Sequence, residues 1–80
     1  MIEEIAGNIC YTELVYGRVN KKLKVDLSSN EIEEMVMEIL KDHQSIIEKI
    51  GKNFYISNLE KHVRLTVNSY NYRLITANRI

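Results

Sequence analysis

The run His62-Val63-Arg64-Leu65-Thr66-Val67-Asn68 changes character at every second residue, and it constrains the fold more than any other stretch of the chain. Successive side chains of a strand point to opposite faces of its sheet. Val63, Leu65 and Val67 therefore share one face, and Arg64, Thr66 and Asn68 the other. Such alternation suits an antiparallel strand with one side on a core and one side open. Ser69-Tyr70-Asn71 reads as a turn, and 72–77 as a second, less regular strand. Upstream, Ile46–Ile50 is a short strand-like run, Gly51-Lys52-Asn53 suits a hairpin loop, and 54–57 supplies a further strand. These segments predict an antiparallel meander of three or four strands.

The N-terminal half carries helical spacing instead. Residues 2–23 read as one helix with a weak point at Gly7-Asn8. Ile9, Val15, Tyr16, Val19 and Leu23 fall on one broad side, while Cys10, Leu14 and Gly17 fall at i, i+4 and i+7 on a second seam. Two apolar sides predict packing on two sides, with Gly17 permitting close approach. Lys21, Lys22 and Lys24 end the element, where cations suit the negative end of a helix dipole. The second helix is predicted over about 29 to 43. Ser28 serves as N-cap with Glu31 as its reciprocal partner, and Leu27 and Ile32 form a hydrophobic staple around that cap. Ile32, Met35, Val36, Ile39 and Leu40 then make a single buried stripe, with Glu33, Glu34, Glu38 and Lys41 outside it. The expected architecture is α+β, with two N-terminal helices packed on one face of a three- or four-stranded antiparallel sheet.

Eighty residues make one domain, 1–80, with no room for a second core. A domain of this size buries roughly two-thirds or less of its unfolded surface, and its expected stability is about 4–12 kcal/mol. The single cysteine rules out an internal disulfide, and neither a signal peptide nor a long apolar run is present. A reduced, cytoplasmic setting away from membranes is the expectation. Lys and Arg total 11 against 11 Asp and Glu, so no global positive field steers the chain to phosphates, and nucleic-acid binding would need local patches. Eleven isoleucines, eight asparagines and no proline suggest a low-GC bacterial host or its phages.

Three constellations could carry chemistry. Cys10, His43 and His62 come from three separate elements, and zinc favours cysteine sulfur and histidine nitrogen, with Asp42 or a nearby glutamate as fourth ligand. Their spacing is not diagnostic, and the same residues read equally as a small core cysteine and two surface histidines. On the outer sheet face, Arg64 and Arg73 on adjacent strands, with Tyr55 and Thr66, form a surface that could pair with phosphate or carboxylate and stack an aromatic. The lysine cluster 21, 22 and 24 could touch phosphates or an acidic partner, and the glutamates of both helices could mimic phosphate. A solvated surface is the ordinary outcome for each.

Catalysis finds little support. No serine sits in a nucleophile motif and no Gly-rich phosphate loop exists. A Cys10–His43 pair would rest on a cysteine that burial in an apolar seam makes inert. So short a chain also leaves little room for a lined pocket of enzyme size. The chain reads as a binding protein, not an enzyme.

The stretch Asn8-Ile9-Cys10-Tyr11-Thr12-Glu13-Leu14-Val15-Tyr16-Gly17-Arg18-Val19-Asn20-Lys21-Lys22-Leu23, with the C-terminal run from Val63 to Ala77, resembles a family of uncharacterised short proteins of low-GC Gram-positive bacteria and their mobile elements. The resemblance covers nearly the whole chain and brings no catalytic or binding motif with it. In size and style the chain is similar to phage-borne anti-CRISPR proteins, which block RNA-guided nucleases. That resemblance implies an inhibitor whose partner is a bacterial nuclease, bound through acidic helix faces that mimic nucleic acid or through the arginine-bearing sheet. The rival expectation is a small nucleic-acid-binding regulator using Arg64, Arg73, Tyr55 and the lysines directly.

Overall fold

A computed structural model describes residues 2–80, and its helices precede its strands as α1 (Ile2–Asn8), α2 (Glu13–Leu23), α3 (Ser29–Lys41), β1 (Ile46–Ile50), β2 (Asn53–Asn58), β3 (Val63–Asn68) and β4 (Leu74–Arg79). The strands form one antiparallel meander in the order β1-β2-β3-β4. Helix α2 packs against β4, α3 against β2, and α1 against α3. The expected α+β class and its antiparallel sheet are what the chain forms.

The single helix expected over 2–23 is two helices. Gly7 and Asn8 are poor helix formers, and the chain leaves helical geometry just after them. Cys10 then lies extended beside Arg73 in an isolated parallel bridge. Its N–H donates to the Tyr72 carbonyl at 2.9 Å, and the Leu74 N–H donates to the Cys10 carbonyl at 3.0 Å. This break lets α2 turn Val15, Val19 and Leu23, at i, i+4 and i+8, into the core. The second seam is a correction: Leu14 is 80% exposed, Cys10 is exposed, and a Cβ at Gly17 would meet nothing within 4 Å. Only one side of α2 is packed. Lys24 ends the helix in the left-handed region (φ 57°), its N–H donating to the Asn20 carbonyl. The Asn20 side chain then clamps Leu27, donating to its carbonyl and accepting its N–H, both at 2.9 Å.

The cap expected for α3 forms. The Glu31 N–H donates to Ser28 Oγ at 3.2 Å, and the Ser28 N–H donates to Glu31 Oε1 at 2.8 Å. The buried stripe is Ile32, Val36, Ile39 and Leu40, with Met35 partly buried beside it. These side chains meet Phe54 and Ile56 of β2, Val63, Leu65 and Val67 of β3, and Leu74 and Ala77 of β4 in one core. The register of β3 is therefore the one its alternation demands, since a slip of one residue would turn Arg64 inward.

Two details set the sheet's shape. Gly51 has φ +61° at the first position of the two-residue loop joining β1 to β2, as a type II′ turn requires. Between β3 and β4 the register shifts, with Thr66 opposite Thr76 but Val67 opposite Leu74, so Ile75 is an extra residue in a bulge. The irregularity read in the last strand has this cause. Strand β4 also begins later than expected, at Leu74, and runs on to Arg79, whose guanidinium donates twice to the Leu23 carbonyl (3.0 and 2.7 Å) at the end of α2.

One buried polar side chain pins the two layers together. Asn58 is fully buried, and its Nδ2 donates to Asp42 Oδ2 at 2.8 Å and to Ser45 Oγ at 2.9 Å. Its Oδ1 accepts the Lys61 N–H at 2.9 Å. Ser45 Oγ in turn donates to the Ile39 carbonyl at 2.6 Å, so the end of α3, the start of β1 and the β2–β3 turn share one network.

Candidate functional site

With α2 and α3 on the face of Phe54, Ile56 and Leu65, the residues between them in sequence form the opposite face. Two rows cross it in register. One runs Glu48, Tyr55, Thr66 and Thr76, the other Ile46, Ser57, Arg64 and Asn78. Arg64 is exposed, and its Nε donates to Ser57 Oγ at 2.9 Å, so the guanidinium is held against the neighbouring strand. That cover explains why Ser57 is buried on an open face. Thr66 is buried for a similar reason, between Tyr55 and Thr76 in its row. The face can offer a partner a planar cation, a partly exposed phenol and short polar side chains. It holds no paired acid and base.

Arg73 lies elsewhere. It precedes β4 in the bridge to Cys10, whereas Arg64 stands opposite Asn78 near the strand's other end. Residues 73 and 78 are five positions apart, on the order of 16 Å at about 3.3 Å per residue. The two arginines do not converge. The bulge at Ile75 and the turn through Tyr72 (φ 58°) delay the strand, which the sequence pattern alone does not show.

The expected lysine cluster is brought together with one more cation. Gly17, Arg18, Lys21, Lys22 and Lys24 line a shallow groove on α2, and Arg18 Nη1 also donates to the Ile75 carbonyl at 3.2 Å. Across the molecule, Glu34, Glu38 and Asp42 line a groove with Met37, Lys41 and Lys61. Lysines interrupt that acidic surface, and Lys61 approaches Glu38 at 4.0 Å.

The metal candidates are dispersed over the surface. Cys10 is exposed, with its Sγ 3.4 Å from the Asn71 carbonyl, His43 follows α3, and His62 occupies the β2–β3 turn at φ 56°. Among the described residues no three His, Cys, Asp or Glu side chains are grouped to hold a metal ion. Asp42, the suggested fourth ligand, is engaged by the Gln44 N–H (2.9 Å) and by Asn58. These hydrogen bonds, the backbone one first, hold its carboxyl below the usual range.

A family model described as "Protein of unknown function (DUF3781)" matches residues 3–78. The chain belongs to the DUF3781 family. Neither the comparison with curated proteins nor that with solved structures returned a match. Among the described residues of this DUF3781 chain, no helix is long and apolar enough to cross a membrane.

Sequence reasoning missed two features near these surfaces. Tyr11 and Tyr16 stack at 5.8 Å between ring centroids, with Tyr16 donating to Glu33 Oε2 at 2.7 Å. Burial, then the Glu33 charge, pushes the Tyr11 hydroxyl up to about 12. The other is the Asn58 network, whose only trace in sequence is the turn-forming Asp42 before Ser45.

Proposed function

We propose that the protein is a non-enzymatic binding protein that acts by covering a partner with the open face of its sheet. The observation that carries this reading is the face itself: an in-register polar surface with Arg64 and Tyr55 outward, opposite the face on which α2 and α3 pack. Arg64 and Glu48 are the charged members of its two rows, so the face is nearly neutral and suits a protein surface better than a phosphate backbone. The finer form of the proposal is a phage- or prophage-type inhibitor that occludes a bacterial RNA-guided nuclease. It is supported by the chain's size and by the resemblance its sequence carries. Titrating the purified protein into RNA-guided cleavage of a DNA target tests it. Inhibition that is lost with Arg64→Ala plus Tyr55→Ala, in a variant that melts like the parent, supports the proposal. Unaltered cleavage at saturating protein removes the finer form.

A second reading rests on a separate observation, the gathering of Arg18, Lys21, Lys22 and Lys24 around one groove. A nucleic-acid-binding regulator would place phosphates there. Each phosphate neutralised contributes roughly −0.7 to −0.9 to the slope of log affinity against log salt, so four cations give a slope of about −3. Binding to generic DNA or RNA with that slope, reduced by Lys21→Ala and Lys22→Ala, favours this reading over the first.

A further inference from the structure

The sheet has two edges, and the chain treats them differently. The β4 edge is occupied, since Cys10 exchanges backbone hydrogen bonds with Tyr72 and Leu74, and Arg18 takes the Ile75 carbonyl. The β1 edge pairs only inward, with β2. Its two-residue loop closes on the pair Ile50↔Asn53, which in a hairpin of this length is hydrogen-bonded, and bonded and non-bonded pairs alternate from there. Ile46, Glu48 and Ile50 therefore use their backbone groups on β2. Ile47 and Lys49 direct theirs outward, where no strand among the described residues meets them. On the open face of the sheet, Ile46 and Ile50 are 55% and 61% exposed on either side of Glu48. Two exposed isoleucines on an unpaired edge form the kind of template that solitary domains ordinarily blunt.

We propose that this edge docks an extended segment of another protein as a fifth, antiparallel strand. The segment carries a lysine or arginine opposite Glu48, between apolar side chains opposite Ile46 and Ile50. Side chains directly opposite one another across an antiparallel pair are near neighbours, so apolar, basic and apolar residues at alternate positions complement this edge. A second copy of the chain does not. Matching its isoleucines to these sets Glu48 against its own equivalent, and like charges directly opposite are destabilising. A slip of one residue sets an outward-directed backbone against one directed inward, which breaks the ladder, and a slip of two sets each Glu48 opposite an isoleucine, with no base to complement it. On the helix side, Ile2, Ala6, Leu40 and Ile47 line a groove along the same edge, which takes the segment's alternate side chains. This mode of recognition draws affinity from main-chain bonds and specificity from alternate side chains. It uses the same open face at Ile46, Glu48 and Ile50 but needs neither Arg64 nor Tyr55.

Fluorescence anisotropy with a labelled nine-residue peptide tests the proposal, using valine, threonine, lysine, threonine and valine at its centre and capped ends. The expected result is saturable binding that weakens at least about tenfold when the central lysine is replaced by glutamate. Glu48→Lys should reverse that preference, which general stickiness would not do. Lys49→Pro should abolish binding while the fold persists, because proline is tolerated on an edge strand where its missing N–H faced solvent. If that variant unfolds, the charge reversal with Glu48→Lys decides alone. Equal affinity for the lysine and glutamate peptides overturns the proposal, as does the absence of binding to the lysine peptide at millimolar concentration. A dimer in sedimentation that Glu48→Lys leaves intact and a folded Lys49→Pro dissolves also overturns it, making the edge a self-interface.

Discussion

Replacing Asn58 by alanine should destabilise the protein by about 2–4 kcal/mol. The side chain makes three hydrogen bonds of 2.8, 2.9 and 2.9 Å and is fully buried, so its loss leaves Asp42, Ser45 and the Lys61 N–H short of partners at once. A buried group left unsatisfied costs about 1–3 kcal/mol; water can reach Asp42 and Lys61, so the loss falls chiefly on the emptied Asn58 site and on Ser45. Against an expected total of about 4–12 kcal/mol the loss is large. At about 4–8 °C per kcal/mol for a domain of this size, the melting temperature should fall by at least about 8 °C. The assay is thermal and urea unfolding followed by circular dichroism. Asn58→Asp sharpens the test, because it keeps the shape, removes the Nδ2 donor and sets a second carboxylate against Asp42. Its deficit relative to the parent should therefore shrink as pH falls through the carboxylate range. A loss below about 1 kcal/mol for Asn58→Ala would refute the reasoning, since the network would then be decorative.

The remaining expectations are simpler. Ser28→Ala should cost about 0.5–2 kcal/mol, measured by urea unfolding, through loss of the oxygen that accepts the Glu31 N–H. The exposed Cys10 should react with a thiol reagent in the folded protein as fast as in the unfolded one. Stoichiometric zinc by elemental analysis, with a protected thiol, would instead support the clip through Cys10, His43 and His62. Tyr11 should ionise well above the ordinary tyrosine range in an ultraviolet titration, with Tyr11→Phe removing that late step. Its folded value of about 12 lies above the ordinary 10, so the unfolded chain releases this proton first and stability falls as pH rises between the two. Melting temperatures that stay flat over that interval would contradict the burial of its hydroxyl.

Where local rules act alone, the sequence was legible. The Ser28–Glu31 box, the stripe from Ile32 to Leu40 and the alternation of β3 each depend on spacing within one element, and each appears as read. The failures are tertiary. Cys10 and Leu14 fit a helical seam, yet a bridge to Arg73, 63 positions later, draws Cys10 into extended backbone. No pattern within residues 2–23 reports that pairing. The sequence pattern puts Arg64 and Arg73 on adjacent strands of one face, but the bulge at Ile75 and the late start of β4, which leave no mark in hydropathy, set Arg73 outside the strand. Thr66 was rightly placed on the outer face but is buried by its row neighbours, since side chains on a sheet cover one another as well as the core.

The packing of α2 on β4 also fixes an order of events during synthesis. Each hairpin of the meander joins neighbours in sequence and can zip as soon as it leaves the ribosome, on a microsecond scale. Val15, Val19 and Leu23 meet α3 only lightly, and the strand they chiefly rest on spans residues 74–79. An eleven-residue helix is marginal in water without tertiary packing. The apolar side of α2 must therefore wait, only partly covered, until residues 74–79 have been made. In that interval its best protection is the charge of Glu13, Arg18, Lys21 and Lys22 along the same helix, which keeps a waiting segment in solution.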